Sequence, residues 1–365
     1  MLVSDRDRNL RAPDRDGQPR ARGRRVAGVR AHLRRRRLSR RVHLLLWALA
    51  VVVWLAALAT AAGRLADDQG WWTWDPVWSR TGAAVATWLG LALLSRRIGG
   101  RTYLVGAFSG VLLALAVAVP ESWALAGVAV AAAATYGALG MVMTRPAAGG
   151  RALRELCVAG AVGAAGAVVV AGYDVALRPY RFRIAVLILT LAVALALARR
   201  LGAGVHSLGR RGLLIVVLGV CVLAASVAYV QAVRHWGSPG VVASLTDAKV
   251  WLHDLLGATP RPMEALVGFP AVVWGVTVRN RRRQGWWISA FGALGSAGVA
   301  TCLVRPLLSP SASMAATGYD LAIGAALGLM LVGVDRLLTG TGRRARRRLV
   351  GENERPEPAR QAALL

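Results

Sequence analysis

Between residues 42 and 338 the chain is built from apolar runs, each closed by arginine or by a Gly/Pro-rich turn. The runs are about 15 to 22 residues long, which is close to the length a helix needs to cross the hydrocarbon layer of a bilayer. They carry no regular polar stripe of the kind a soluble helix turns toward water. In lipid a spanning helix satisfies all its backbone hydrogen bonds internally, so such runs fold as helices. The expected fold class is all-α, a polytopic transmembrane helix bundle of about ten spans. The runs lie at about 42–63, 79–95, 102–119, 123–144, 156–176, 184–198, 213–232, 263–278, 286–304 and 319–338.

The formal net charge of +28 would point to nucleic acid in a soluble protein. Here the arginines cluster at run ends and in two tails, so the expected partners are membrane lipids and no nucleic acid. With residue 42 at the cytoplasmic face, the inner loops collect Arg96, Arg97, Arg101, Arg145, Arg151, Arg154, Arg199, Arg200, Arg210, Arg211, Arg279, Arg281, Arg282 and Arg283. Basic residues favour the inner side, so both termini are expected in the cytoplasm and the protein in the plasma membrane. Residues 1–41 read as a disordered Arg-rich tail, 42–338 as the membrane domain and 339–365 as a second disordered tail.

Chemistry-bearing motifs are sparse. No Walker loop, His-Glu-x-x-His or Gly-x-Ser-x-Gly occurs, and the histidines match no metal spacing. Cys157, Cys221 and Cys302 fall inside apolar runs at unrelated spacings and are expected as buried small side chains. No metal, cofactor or catalytic residue is therefore assigned. Close helix packing is expected at Gly160, Gly163 and Gly166, at Gly292, Ser296 and Ala300, and at the pair Gly324 and Gly328.

The stretch from Ser244 to Arg283 is the most structured in pattern. Ser244 and Asp247 have capping-box spacing, and Ala248, Trp251, Leu252, Leu255 and Leu256 recur at helical spacing. Gly257 ends this helix, Pro260 and Pro262 keep it from restarting, and a span containing Pro270 follows. An interfacial helix at about 245–256 lying on the membrane and feeding a crossing helix is expected.

Charges at the outer ends of spans mark the candidate site. Asp174, Glu264 and Asp320 are carboxylates at that level, and Arg178, Arg181, Arg183, Arg261 and Arg305 lie beside them. Carboxylates near hydrocarbon require partners, and outer arginines oppose the general bias. Together they read as a basic outer vestibule for an anion such as a phosphate or a carboxylated sugar on a lipid. Arg261 and Glu264, three residues apart, are expected to face one side of a helical turn.

Two resemblances accompany these residues. Trp71-Trp-Thr-Trp-Asp-Pro76 resembles the Trp-rich loop of haem-handling cytochrome c biogenesis proteins, although that family flanks the loop with outer-side histidines that are missing here. An interfacial aromatic belt accounts for the same residues. The segment Leu252 to Pro270, with Arg261, Pro262, Glu264, Gly268 and Pro270 at matching positions, resembles an uncharacterised family of bacterial multi-pass membrane proteins. That family is found beside surface-polysaccharide pyruvyl transferases. Thr301-Cys302 and Pro306 to Ser309 are similar to it as well, so the resemblance covers about residues 245–338. It departs at Met263, at Leu303-Val-Arg305 and in lacking a large outer domain. The resemblance implies a cell-envelope setting, with a lipid-linked glycan and envelope biosynthesis proteins as partners. Binding or transport of an anionic lipid-linked glycan or precursor is the expectation. An intramembrane transferase using Glu264 or Asp320, and a non-catalytic scaffold, remain as alternatives.

Overall fold

The computed structural model describes residues 19–71, 73–175, 178–202, 209–281, 283–304, 309–339, 360 and 362–364. Among these residues all regular structure is helical and no strand occurs. Among the described residues five helices are long and apolar enough to cross a membrane: Leu44–Asp68, Ser122–Met143, Gly150–Gly172, Pro179–Leu201 and Pro310–Leu338. This is the make-up of a multi-pass membrane protein.

Two compact units divide the chain, Met1–Val53 and Trp54–Leu365. In the first, helix α1 (Pro19–Asp68) begins, and Leu44, Leu45, Leu46 and Leu49 are exposed on it. Exposed leucines at this density require lipid rather than water around them. The irregular tail expected up to residue 41 is helical from Pro19 onward. Arginine is a good helix former and extends the apolar helix without a break.

The second unit holds the other elements. Helix α2 (Pro76–Arg97) starts on Asp75, whose side chain accepts from the Val77 amide, with Pro76 in the first turn. Helices α3 (Thr102–Ala118), α4 (Ser122–Met143), α5 (Gly150–Gly172), α6 (Pro179–Leu201) and α7 (Gly209–Trp236) follow. Next come α8 (Pro239–Leu256), a π-helical turn at Glu264–Gly268 that continues as α9 (Phe269–Arg279), α10 (Gly285–Ala300) and α11 (Pro310–Thr339).

Helix α10 forms the centre. All sixteen of its residues are buried, and α4, α5, α6 and α9 pack on it. Small residues permit this. A Cβ on Gly163 would lie 2.7 Å from the Ser296 carbonyl oxygen, and one on Gly166 would lie 2.9 Å from the Ala300 Cβ. Gly324 and Gly328 admit Phe269 and Val273 in the same way, as the small-residue pattern predicts.

Several boundaries differ from the sequence expectation. Helix α8 starts at Pro239, capped by Ser238, whose side chain accepts from the Val241 amide at 3.4 Å. Ser244 is therefore no cap, and its hydroxyl donates back to the Gly240 carbonyl at 2.9 Å. The Ser-Pro step supplies both a capping oxygen and a pre-set first residue, and it wins over the later capping box. Helix α11 starts at Pro310 rather than 319, which places Asp320 well inside a helix instead of at its end. Cys157 and Cys221 are exposed rather than buried, on surfaces where lipid supplies the apolar surroundings.

Part of the stretch read as a second disordered tail is docked. Arg97 Nη1 donates to the Ala362 carbonyl at 2.6 Å, and the Leu364 amide donates to the Arg97 carbonyl at 2.8 Å. Arg360 Nη2 reaches the fully buried Glu155 at 2.6 Å. Glu155 also accepts from the Arg145 amide and from Arg154.

Candidate functional site

The chain between α8 and α9 builds the site. Gly257 takes a left-handed φ of 68° and ends α8, as its lack of a Cβ allows. Tyr319 on α11 donates its hydroxyl to the Leu256 carbonyl at 2.8 Å and pins that end. Pro260 and Pro262 then carry Arg261 past α11. The Arg261 amide donates to Asp320 Oδ1 at 2.6 Å, Nε to Oδ2 at 2.7 Å and Nη2 to Thr317 Oγ1 at 2.7 Å. Its Nη1 has no hydrogen-bond partner among the described residues.

Glu264 opens the π-helical turn. The Phe269 amide reaches five residues back to the Glu264 carbonyl, and Pro270 has no amide to bond the Leu266 carbonyl. The widened turn thus absorbs the missing donor of Pro270, a common cause of such bulges. It also brings Gly268 against Gly295, where a Cβ would sit 2.5 Å from the Gly295 Cα. The Glu264 carboxylate lies against Gly298 on α10, where a Cβ would overlap it. Arg183, in the second turn of α6, donates Nη2 to both Glu264 oxygens at 2.7 and 2.9 Å. Glu264 and Asp320 are both fully buried. Arg261 and Glu264 thus do not form the ion pair their spacing allowed, and each takes a partner from a distant helix.

A cavity of about 1200 Å³ lies above these pairs, walled by α6, α8, the Pro260 turn, the end of α10 and the start of α11. Arg183, Lys249, His253 and Arg261 line it, and among the described residues no carboxylate does. The remainder of the wall is chiefly apolar, with Phe182, Leu252 and Val304 among its residues. Comparison with protein-family models, curated proteins and solved structures gives no match. The site is therefore read from its own geometry.

Four of the sequence-predicted residues meet there: Arg183, Arg261, Glu264 and Asp320. Asp174 does not. It accepts from Arg64 Nε at 2.7 Å, lies 3.8 Å from Arg80, and sits in a separate cluster where Arg64 also pairs with Asp67 and Asp68. Arg178 is exposed, and Arg181 is exposed beside a different hollow lined by Tyr180, Gln231 and His235. Arg305 lies outside the described residues. Lys249 and His253 of α8 line the cavity without having been singled out. Their helical spacing from Thr246 is the signal that was available.

The Trp71 loop leads into α2. Asp75 is occupied as the cap of α2, Trp74 packs on Gly63, and Trp71 is exposed. Among the described residues no group of three or more His, Cys, Asp and Glu is placed to hold a metal ion.

Proposed function

We propose that the protein is a ten-span plasma-membrane protein with both termini in the cytoplasm. Its outer vestibule binds, for retention or transport, an anionic lipid-linked glycan or glycan precursor of the cell envelope. The observation that carries this reading is the sign of the cavity wall. Arg183, Lys249 and Arg261 bring three positive charges to it, while the two carboxylates that neutralise part of them are buried behind. Three cations less two carboxylates leave a charge of +1 facing the cavity. Guanidinium forks suit phosphate and carboxylate oxygens, and their hydrogen bonds are strongest where water is thinned.

Buried ion pairs generally give little net stability, since desolvating both charges offsets their attraction. Retaining two of them at one cavity is consistent with a binding role. Both carboxylates are held by arginine, which speaks against their use as acid or base in a transferase. A cavity of this size speaks against a solid scaffold.

The test is membrane abundance and envelope-glycan output measured together in Glu264→Gln and Arg261→Lys. The reading expects both variants to be inserted at near-normal abundance with glycan assembly impaired. Full output at normal abundance in both would contradict it.

A further inference from the structure

The two sides of helix α8 meet different surroundings. Thr246, Lys249 and His253 recur at three- and four-residue spacing and line the cavity. Trp251 and Leu255, on the side away from it, are 64% and 63% exposed. Asp247 and Asp254 are exposed on that same side, and this mixture of indole, leucine and carboxylate matches the headgroup layer of a bilayer, where an amphipathic helix lies in the interface plane. The helix thus forms a thin wall between cavity and lipid. No residue of α8 is buried, and the Tyr319 hydroxyl bonded to the Leu256 carbonyl ties its C-terminal end to α11.

Lys249 is the only lysine in the chain. It makes no hydrogen bond or ion pair within the described residues, whereas Arg183 and Arg261 each hold a carboxylate. Among the described residues the cavity therefore has one lysine or arginine whose charge is unspent. Beside it the wall is apolar, with Phe182, Val250, Leu252 and Val304. A small hydrated anion would leave that wall wet, and a hydrocarbon chain attached to the anion would cover it.

We infer that α8 is the lipid-facing wall of the binding site and that Lys249 is a ligand-binding residue on it. The ligand class is an amphiphile, a phosphate-type anion carried on a hydrocarbon chain, with the anion among Lys249, Arg261 and Arg183. This inference rests on the anion-binding reading above and adds to it the third cation and the hydrocarbon.

Because Lys249 is unique, an amine-reactive reagent reports on it directly by mass spectrometry. The full-length protein is placed in phosphatidylcholine vesicles, in the same vesicles doped with phosphatidic acid, and in undoped vesicles with inorganic phosphate added. An internal reference is supplied by Asp254→Lys, since position 254 is exposed and does not line the cavity. Labelling of Lys249 is expected to fall several-fold with phosphatidic acid and not with inorganic phosphate, while position 254 keeps its rate. Lys249→Gln is expected to weaken phosphatidic acid retention about tenfold, the loss of one charge-assisted hydrogen bond, at unchanged abundance. Equal protection by inorganic phosphate would overturn the amphiphile and leave anion binding intact. Equal slowing at both positions would show only a surface-charge effect and overturn the role of Lys249. Phosphatidic acid retention that is undiminished in Lys249→Gln and weakened in Arg261→Lys would remove Lys249 from the site without touching the vestibule. Retention that neither variant changes would overturn both readings.

Discussion

The carboxylate of Glu264 occupies the space beside Gly298 that a side chain there would need. A Cβ on Gly298 would come within 2.6 Å of the Glu264 carboxyl carbon and would overlap Oε1. A side chain therefore cannot be added at position 298 without displacing Glu264. The close approach of the π-helical turn to α10 therefore fixes where Glu264 presents itself to Arg183.

Gly298→Ala should push Glu264 off Arg183 and lower stability by about 1–3 kcal/mol, the usual cost of overpacking. Gly127→Ala, in α4 with open space around its Cβ position, should be neutral or mildly stabilising, by up to about 1 kcal/mol. Thermal unfolding of the two variants in detergent separates them.

The pairing of Arg183 with Glu264 should appear in a double-mutant cycle. Arg183→Gln and Glu264→Gln each remove one side of the pair, and their combined effect should fall short of the sum by roughly 1–3 kcal/mol. A cycle of Arg261→Gln with Glu264→Gln should show weaker coupling, because no direct ion pair joins those two.

Asp75 should behave as a helix cap. Asp75→Ala should cost about 1 kcal/mol and Asp75→Ser should recover most of it. Denaturant unfolding measures both. A Soret absorbance in the purified protein that disappears with Asp75→Ala would instead assign the loop to haem.

Reporter fusions test the ten-span arrangement. Fusions after Arg97, Arg151, Arg210 and Arg282 should report cytoplasm, and fusions near Asp68, Tyr180 and Gly257 should report the outside. A reversed signal at Tyr180 would remove one crossing before it.

How much of this was readable from residues depends on the range of the interaction. The helical class follows from composition and run length, and the packing of Gly163 and Gly166 on α10 from small-residue spacing. Gly257 as a stop is local chemistry and was legible too. The partners in the site were not. Arg261 meets Asp320 across 59 positions and Arg183 meets Glu264 across 81, so each pair depends on how helices pack. The nearest opposite charge in sequence, Glu264 for Arg261, was a reasonable expectation and was outcompeted. Burial at the α11 surface gave Asp320 both the Arg261 amide and its guanidinium. The separation of Asp174 from the vestibule likewise depends on α1 reaching it with Arg64, which no local pattern encodes.

The most direct test of the vestibule is native mass spectrometry of the full-length protein with competing phosphatidylcholine and phosphatidic acid, beside Arg261→Lys at matched abundance. The account predicts that the wild type retains phosphatidic acid selectively, and that the lysine variant loses this preference about tenfold while staying folded. Equal retention of the two lipids by the wild type, unchanged in the variant, would contradict it.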